Sequence, residues 1–243
     1  MMMFGVSIEG ISKEAVLERF RTAMAPLWVV TANPEILLAA RRHPEYKKAL
    51  QQADIRVVDG VGLYGIGRLF DQKWSRVTGV ELGEALLKEA HTQDLRVAFI
   101  GGKKRVAELA AAHWRTVYPS LALIAERGGV VQADGTDDEE GEEARHRLTL
   151  FAPQIVLVGF GHPKQERWIA RYLQDMPSVK MIVGVGGTFD YWAGNIRRAP
   201  KLFQALGIEW VWRLVQEPKR IGRIFKAVVV FPILALIDHF FPS

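Results

Sequence analysis

The chain has 243 residues, and 49% of them are hydrophobic, so it is long and apolar enough to bury a core and does not fit the disordered class. It contains no cysteine, which excludes disulfides, thiolate nucleophiles and Cys-ligated zinc. The net charge is +5, and the basic excess lies in residues 197–243, which hold eight Lys or Arg and three Asp or Glu.

The first part of the chain predicts an α/β fold. Its start, MMMFGVSIEGISKEAVLERF, has no basic segment followed by a long apolar stretch, so we expect no secretory signal and a cytoplasmic protein. Amphipathic stretches then separate six short apolar runs, at residues 27–31, 55–59, 96–102, 121–126, 155–160 and 181–186. This alternation predicts a Rossmann-like parallel sheet with helices on both faces over residues 1–195. Ligands of such sheets bind at the carboxyl ends of the strands.

The first strong strand ends in TANPEI. Thr31 and Asn33 carry neutral hydrogen-bonding groups that suit sugar hydroxyls or an N-acetyl group. Pro34 is suited to begin a helix, and Asn33 is suited to cap it. The pattern predicts the capping role for Asn33 and leaves a substrate-binding role open.

The second strand is followed by DGVGLYGIG, whose Gly60, Gly62 and Gly65 form the G-x-G-x-x-G pattern of dinucleotide sites. Asp59 stands directly before the first glycine, where its carboxylate would repel a pyrophosphate. The sequence therefore disfavours a nicotinamide-dependent oxidoreductase. Asp59 is instead a candidate base for a substrate hydroxyl, with capping of the next helix as the alternative.

Two loops with charged side chains follow. RVTGVEL places Arg76 and Thr78 before a predicted helix, and an arginine in such a loop can pair with a phosphate. Further on, residues 134–143 hold seven acidic residues ahead of a helix that ends near Leu150. These acids lack EF-hand spacing, and the helix dipole favours acids in a first turn. We predict a solvated loop and a helix start there, with no metal site.

The fifth strand ends in GFGHPKQERWI. At the start of the helix that follows, a polar cluster consists of His162, Lys164, Gln165 and Glu166. Such a cluster at a strand end is more typical of a ligand site than of a protein surface.

The sixth strand ends in GVGGTFDYWAG. Gly186 and Gly187 would let a substrate approach the backbone there. Tyr191 and Trp192 suit either stacking on a sugar or base, or packing in the core.

Residues 196–243 predict a helical appendage with a break at Pro218. Arg220, Arg223 and Lys226 recur at helical spacing beside apolar residues, as in a helix that lies on anionic headgroups. The apolar run 227–237 has eleven residues and is too short to span a bilayer. We predict association with a membrane, with packing on the protein's own core or on another subunit as the alternative.

Taken in order, eight segments resemble the motifs of the WecG/TagA/CpsF glycosyltransferases, family 26: TANPE, DGVG, RVTGVEL, GHPKQERWI, GVGGTFDYWAG, RRAP, GIEWVWRL and EPKRIGR. The resemblance covers most of the chain. It implies an inverting, metal-independent hexosyltransferase without a cofactor. The expected donor is a UDP-sugar, most often of N-acetylmannosamine or its uronic acid, with glucose or glucuronic acid as alternatives.

The resemblance also implies the partners. The acceptor would be an undecaprenyl-diphosphate-linked sugar in cell-surface polysaccharide or teichoic acid synthesis, met at the inner face of the cell membrane. No nucleic acid is expected, and a homo-oligomer remains open. A non-catalytic module that binds a membrane or nucleic acid through the basic tail is the competing class.

Residue roles follow from the matched motifs. The resemblance implies that Asp59 is the base and that Arg76 and Gln165 complete the catalytic set. It also implies that Thr31 and Asn33 bind substrate. The appendage arginines would reach toward a diphosphate, and they are Arg213, Arg220 and Arg223. The chain departs from the family's motifs at two places. Glu81 stands where many members have Asp, and RGGVVQADG stands where many have an aromatic GYF segment. The second departure puts the expected donor or acceptor preference in doubt.

Overall fold

The structure is a computed structural model that describes residues 1–200, 202–203 and 208–241, without the side chain of Arg220. Its centre is a six-stranded sheet in the order β4-β3-β8-β7-β5-β6, and every pair in it is parallel. After a two-stranded hairpin of β1 (Met2–Met3) and β2 (Val6–Ser7), the strands are β3 (Leu27–Ala32), β4 (Ile55–Val58), β5 (Val97–Gly101), β6 (Leu123–Glu126), β7 (Ile155–Gly159) and β8 (Met181–Gly184). All six predicted strands are confirmed.

Helices alternate with these strands. In the core they are α1 (Lys13–Thr22), α2 (Pro34–Arg42), α3 (Pro44–Gln51), α4 (Val61–Leu69), α5 (Gly79–Thr92), α6 (Val106–Val117), α7 (Glu139–Phe151), α8 (Lys164–Tyr172) and α9 (Thr188–Trp192). The C-terminal region holds α10 (Glu209–Gln216), a 3-10 turn (Pro218–Arg220), α11 (Ile221–Phe225), a π-helical turn (Lys226–Val230) and α12 (Phe231–Phe240). The predicted α/β class with a helical C-terminal part is confirmed.

Both faces of the sheet are covered, which explains the continuous apolar runs in the sequence. Along β3, Trp28 and Val30 belong to one hydrophobic cluster, whereas Val29 belongs to the cluster on the opposite face. Successive side chains of a strand point to opposite faces, so most residues of such a strand are apolar. Thr31 in β3 and Arg56 in β4 are buried polar exceptions, and most other polar groups follow the strand ends.

The N-terminal hairpin was not predicted, because each of its strands has only two residues. It holds the last helix. The backbone N–H of Phe4 donates to Asp238 Oδ2 at 2.7 Å, and the Phe4 ring meets the Phe231 ring edge-on at 6.2 Å. Phe231 and Ala235 are fully buried in the core. One side of α12 thus packs on the protein's own core, which was the alternative for the tail.

The other side of the C-terminal helices is apolar and exposed. Its exposed side chains include Ile221, Phe225, Ile233 and Ile237. In the part of the chain that the structure describes, no helix has both the length and the apolar character that crossing a membrane requires. The predicted boundary between residues 195 and 196 stays a prediction.

The acidic segment is partly structural. As predicted, acids begin α7, and Asp138 caps it by accepting from the Gly141 N–H at 3.1 Å. Asp137, however, is buried and accepts from Arg145, Trp168 and Tyr172 at 2.7, 3.2 and 3.0 Å. Burial alone would raise the pKa of Asp137, but these three hydrogen bonds hold it below its ordinary value. The prediction of a solvated loop was therefore wrong for Asp137.

Candidate active site

A cavity of 660 Å³ lies at the carboxyl ends of the strands, where ligands of open parallel sheets bind. All six strands of the central sheet contribute to its walls through the residues that end or follow them, for example Asn33, Asp59, Lys103, Val130, His162 and Gly186. The predicted site residues that line it are Thr31, Asn33, Asp59, Gln165, Gly186, Gly187, Arg213 and Arg223. Arg76 is not part of this lining, and the side chain of Arg220 lies outside the described part of the structure.

Asp59 lies at the end of β4, and its backbone N–H donates to the Ala32 carbonyl at 2.7 Å, which continues the sheet by one residue. Its carboxylate accepts a long hydrogen bond of 3.4 Å from the Gly79 N–H at the start of α5. Burial raises the pKa of Asp59 to about 7, although Gly79 and Arg76 act to lower it. A carboxyl group with a pKa near neutrality is well matched to general base catalysis.

The alternative role of Asp59, capping the next helix, is not realised. Gly60 precedes α4 with a φ of 93°, and no side chain among the described residues caps that helix. The glycine pattern has another explanation, because a Cβ on Gly62 would lie 3.0 Å from the carbonyl oxygen of Ala227. The motif thus lets the chain turn away from Asp59 and lets the C-terminal helical region pack close to α4.

Arg76 lies near Asp59 without lining the cavity. Its Nη2 is 3.6 Å from Oε1 of Glu209, and its charge acts to lower the pKa of Asp59 while Glu209 acts to raise it. Arg76 therefore lies close enough to Asp59 for its charge to influence the pKa of that carboxyl group. Thr78 follows as the cap of α5 and forms a capping box with Glu81, so a glutamate suits that position.

The polar pair after β3 has structural contacts of its own. The buried hydroxyl of Thr31 donates to the Gly184 carbonyl on the neighbouring β8 at 2.8 Å. Asn33 caps α2, since its Oδ1 accepts from the N–H groups of Glu35 and Ile36 at 3.0 and 3.1 Å. The capping prediction for Asn33 is confirmed. Because both residues also line the cavity, a substrate-binding role stays a prediction.

Gln165 is buried under the glycine loop that follows β8. Its Oε1 accepts from the Gly186 N–H at 3.1 Å, and its Nε2 donates to Glu166 at 2.5 Å. Glu166 in turn accepts from the Tyr46 hydroxyl at 2.8 Å, and burial raises the pKa of Glu166. A Cβ on Gly184 would lie 2.6 Å from Gln165 Nε2, so a larger residue there would displace the Gln165 carboxamide. Gln165 therefore holds the glycine loop in place, and its catalytic role stays a prediction.

The glycine loop and α9 bring Arg213 into the cavity. Gly186 has a φ of 54°, and a Cβ on Gly187 would lie 3.2 Å from Nη2 of Arg213. Arg213 donates to the Tyr191 hydroxyl at 2.7 Å and to Glu217 at 2.9 Å. Tyr191 therefore belongs to the cavity. Its neighbour Trp192 is buried and packs in the core, which was one of the two roles that the sequence left open for these aromatic residues.

Glu35 joins three separate segments at the rim. Its Oε2 lies 3.0 Å from Nε of Arg223 in α11 and 3.5 Å from Nε2 of His162, which follows β7. Burial lowers the pKa of His162; Glu35 opposes this effect and Arg223 adds to it. A lowered pKa keeps the imidazole neutral at neutral pH. The C-terminal region thus contributes a cation to a cavity built mainly by the core.

Sequence reasoning missed some cavity residues. Lys103 follows Gly101, the last residue of β5, and Gly102; its position just after a strand end was a signal that could have identified it. Arg198, from the RRAP motif, has a buried Nε that makes no hydrogen bond within the described residues. Lys103 and Arg198 thus add to the cationic side chains of Arg213 and Arg223 in the lining of the cavity. The departure RGGVVQADG also reaches the cavity through Gly129, Val130 and Val131.

The chain is similar to known proteins over most of its length. The sequence model of the glycosyl transferase WecG/TagA/CpsF family matches residues 1–243. Two similar proteins come from Staphylococcus aureus strains MRSA252 and MW2, and each is an N-acetylglucosaminyldiphosphoundecaprenol N-acetyl-beta-D-mannosaminyltransferase. Each is 34% identical to this chain over 235 residues, which are 94% of this chain and 89% of the relative.

Proposed function

The chain belongs to the WecG/TagA/CpsF family of glycosyl transferases, and on this premise we propose that it moves N-acetylmannosamine from a UDP-sugar onto N-acetylglucosaminyl-diphosphoundecaprenol. The names of its relatives supply the sugar and the acceptor. The observation that carries the proposal is Asp59, a carboxyl group with a pKa of about 7 in a cavity of 660 Å³. Membership of this family disfavours the hypothesis that Gly60, Gly62 and Gly65 bind a nicotinamide cofactor of an oxidoreductase.

The proposed reaction is a single displacement. A hydroxyl of the acceptor sugar attacks the anomeric carbon of the donor while Asp59 takes the hydroxyl proton. The bond between the anomeric carbon and the phosphate oxygen breaks, UDP leaves with the bonding electrons, and the configuration at that carbon inverts. The charge that develops on UDP needs stabilisation in the transition state.

We propose that cationic side chains supply this stabilisation without a metal ion. Lys103 and Arg198 line the cavity that holds Asp59, and a guanidinium group such as that of Arg198 can pair bidentately with a phosphate. Gly186 and Gly187 would let the substrate approach the backbone that Gln165 holds in place. Thr31 and Asn33 also line the cavity, from the end of the neighbouring β3, and would contact the sugars.

We propose that the C-terminal helices rest on the inner face of the cell membrane. Their exposed apolar side chains include Ile221, with 60% exposure, and Phe225, with 56%. Lys219 and Lys226 lie beside them in the sequence, as is typical of a helix that binds anionic lipids. The contact would bring the cavity to an acceptor that is itself held in the membrane.

A panel of donors tests the proposed function. UDP-N-acetylmannosamine, its uronic acid, UDP-glucose and UDP-glucuronic acid are each incubated with a soluble N-acetylglucosaminyl-diphospholipid, with and without EDTA. We expect transfer from UDP-N-acetylmannosamine, with release of UDP and with equal rates in both conditions. Absence of transfer from all four donors would refute the proposed activity, and a rate that EDTA abolishes would refute metal independence.

A further inference from the structure

A second, apolar groove adjoins the cavity beneath the C-terminal helices. Its volume is 300 Å³, at the lower end of the range of about 300–1,000 Å³ that is typical of small-molecule sites. Gly60, Val61 and Gly62 form one wall, and Trp210, Ile224 and Val228 form another. The groove therefore lies between α4 of the core and the C-terminal region.

The groove and the cavity meet at shared residues. Pro34, Glu35, Arg213 and Ala227 line both of them. Asp59 lines only the polar cavity, the guanidinium of Arg213 and the carboxylate of Glu35 line both spaces, and mainly apolar groups line the groove. A sugar joined through a diphosphate to a polyprenyl chain has the same order of chemical groups: hydroxyls, then anionic oxygens, then hydrocarbon.

The outer wall of the groove continues into the exposed apolar face. Val228 has 43% exposure and Trp210 has 37%, so apolar surface of the groove reaches solvent. Val228 also follows Ile221 and Phe225 along the same helical segment. Exposed apolar surface of this kind marks a site of contact with hydrocarbon or another partner.

On this basis we propose that the groove binds the first isoprene units of the acceptor's polyprenyl chain, at the point where they leave the diphosphate. This assignment rests on the proposed function, because it requires a lipid-diphosphate acceptor. With its sugar at Asp59 and its diphosphate at Arg213, the acceptor would place its lipid between α4 and Val228. The protein would then recognise the hydrocarbon itself as well as bind the surrounding membrane.

Acceptor chain length tests this assignment without any membrane. Initial rates are measured for N-acetylglucosaminyl diphosphates that carry a propyl, geranyl or farnesyl group, in detergent-free buffer at concentrations where all three are monomeric. We expect the KM for the acceptor to fall at least about tenfold from propyl to geranyl, because each methylene moved out of water contributes a factor of about three to four, so burial of about two of the seven added carbons already gives that change. The kcat should change little, because the chain lies away from the reacting atoms.

Two neighbouring valines provide the matched variants. Val228→Gln places a polar side chain in the groove, and we expect it to make the KM values for the propyl, geranyl and farnesyl acceptors nearly equal. Val229→Gln is the control, because Val229 has similar exposure, 39%, and does not line the groove. It should keep the full dependence on chain length.

The outcomes separate this assignment from the proposed function. Turnover of all three acceptors with the same KM would overturn the groove assignment and leave the transferase activity intact. A wild-type dimer that Val228→Gln dissociates, seen by sedimentation, would also overturn it, because a second copy would then occupy the groove. If no acceptor reacts at all, the proposed function itself fails.

Discussion

The carboxylate of Glu35 pairs with the guanidinium of Arg223 across 188 positions of the sequence, with Arg223 Nε 3.0 Å from Glu35 Oε2. Glu35 lies in the first turn of α2, directly after the strand end that lines the cavity, and Arg223 lies in α11. The pair therefore fixes an arginine of the C-terminal region at the rim of the core's cavity. Because Arg223 is half-exposed, the pair contributes little to stability but determines where the cation lies.

Replacing Glu35 tests this positioning role. In Glu35→Gln, Arg223 loses its charged partner, and we expect the KM for the lipid-diphosphate acceptor to rise by about three- to tenfold. The free energy of unfolding should change by less than about 1 kcal/mol, as is usual for exposed ion pairs. Glu45→Gln is the control, because Glu45 also begins a helix but pairs only with the nearby Lys48 among the described residues. Equal acceptor KM values in both variants would contradict the role of Glu35.

The pH dependence of kcat/KM tests the state of Asp59. A base must be deprotonated, and burial raises the pKa of Asp59 to about 7. The rate should therefore rise about tenfold per pH unit below 7 and level off above it. Glu209 is a like charge that raises this pKa, so Glu209→Gln should move the midpoint to lower pH. A flat profile between pH 5.5 and 8, or an upward shift in the variant, would disprove this account.

Gln165 should act through the glycine loop. Gln165→Ala leaves the Gly186 N–H and the Glu166 carboxyl without this partner, which should cost about 1–3 kcal/mol of unfolding free energy. We also expect a higher KM for the UDP-sugar and an unchanged pH profile, since both amide atoms face the protein. Gln154→Ala is the matched control. Gln154 lies just before β7, at the end of the sheet opposite to the cavity, and its side chain accepts from the Arg96 N–H at 2.7 Å. A loss of affinity for the donor in both variants would show a general effect of destabilisation.

Two phenylalanines separate the inner and outer sides of the C-terminal helices. Phe231 is fully buried, so Phe231→Ala should lower the free energy of unfolding by about 3–5 kcal/mol, measured by urea denaturation. Phe225 is exposed, so Phe225→Ser should leave stability within about 0.5 kcal/mol of wild type but weaken sedimentation with anionic lipid vesicles. Unchanged vesicle binding by Phe225→Ser would argue against this face as the membrane contact.

The sequence predicted the parts of the molecule that depend on local pattern. Continuous apolar runs identified the strands of the sheet, and polar residues after them, such as Asn33 and Asp59, lie in the cavity because parallel strands present their carboxyl ends at one edge. The two-residue strands of the hairpin carry no such pattern. Local pattern also did not separate the neighbours Tyr191 and Trp192, because adjacent positions on a short helix face different directions.

The parts that depend on distant contacts required the structure. Arg213 and Arg223 were predicted from motifs, but their partners Tyr191 and Glu35 lie 22 and 188 positions away. Gln165 was predicted to be catalytic, and only the structure shows its carboxamide between Gly186 and Glu166. The raised pKa of Asp59 likewise comes from burial by the assembled fold.

The central claim is that Asp59 removes the proton from the acceptor hydroxyl. Asparagine keeps the size of the side chain and an oxygen for the Gly79 N–H, but it does not accept the proton. The decisive measurement is therefore the kcat of Asp59→Asn with UDP-N-acetylmannosamine and a soluble lipid-diphosphate acceptor, beside its Kd for UDP from calorimetry. We predict a kcat about 10²- to 10⁴-fold below wild type with a Kd for UDP within about twofold of it. A kcat close to that of wild type would contradict the assignment of Asp59 as the base.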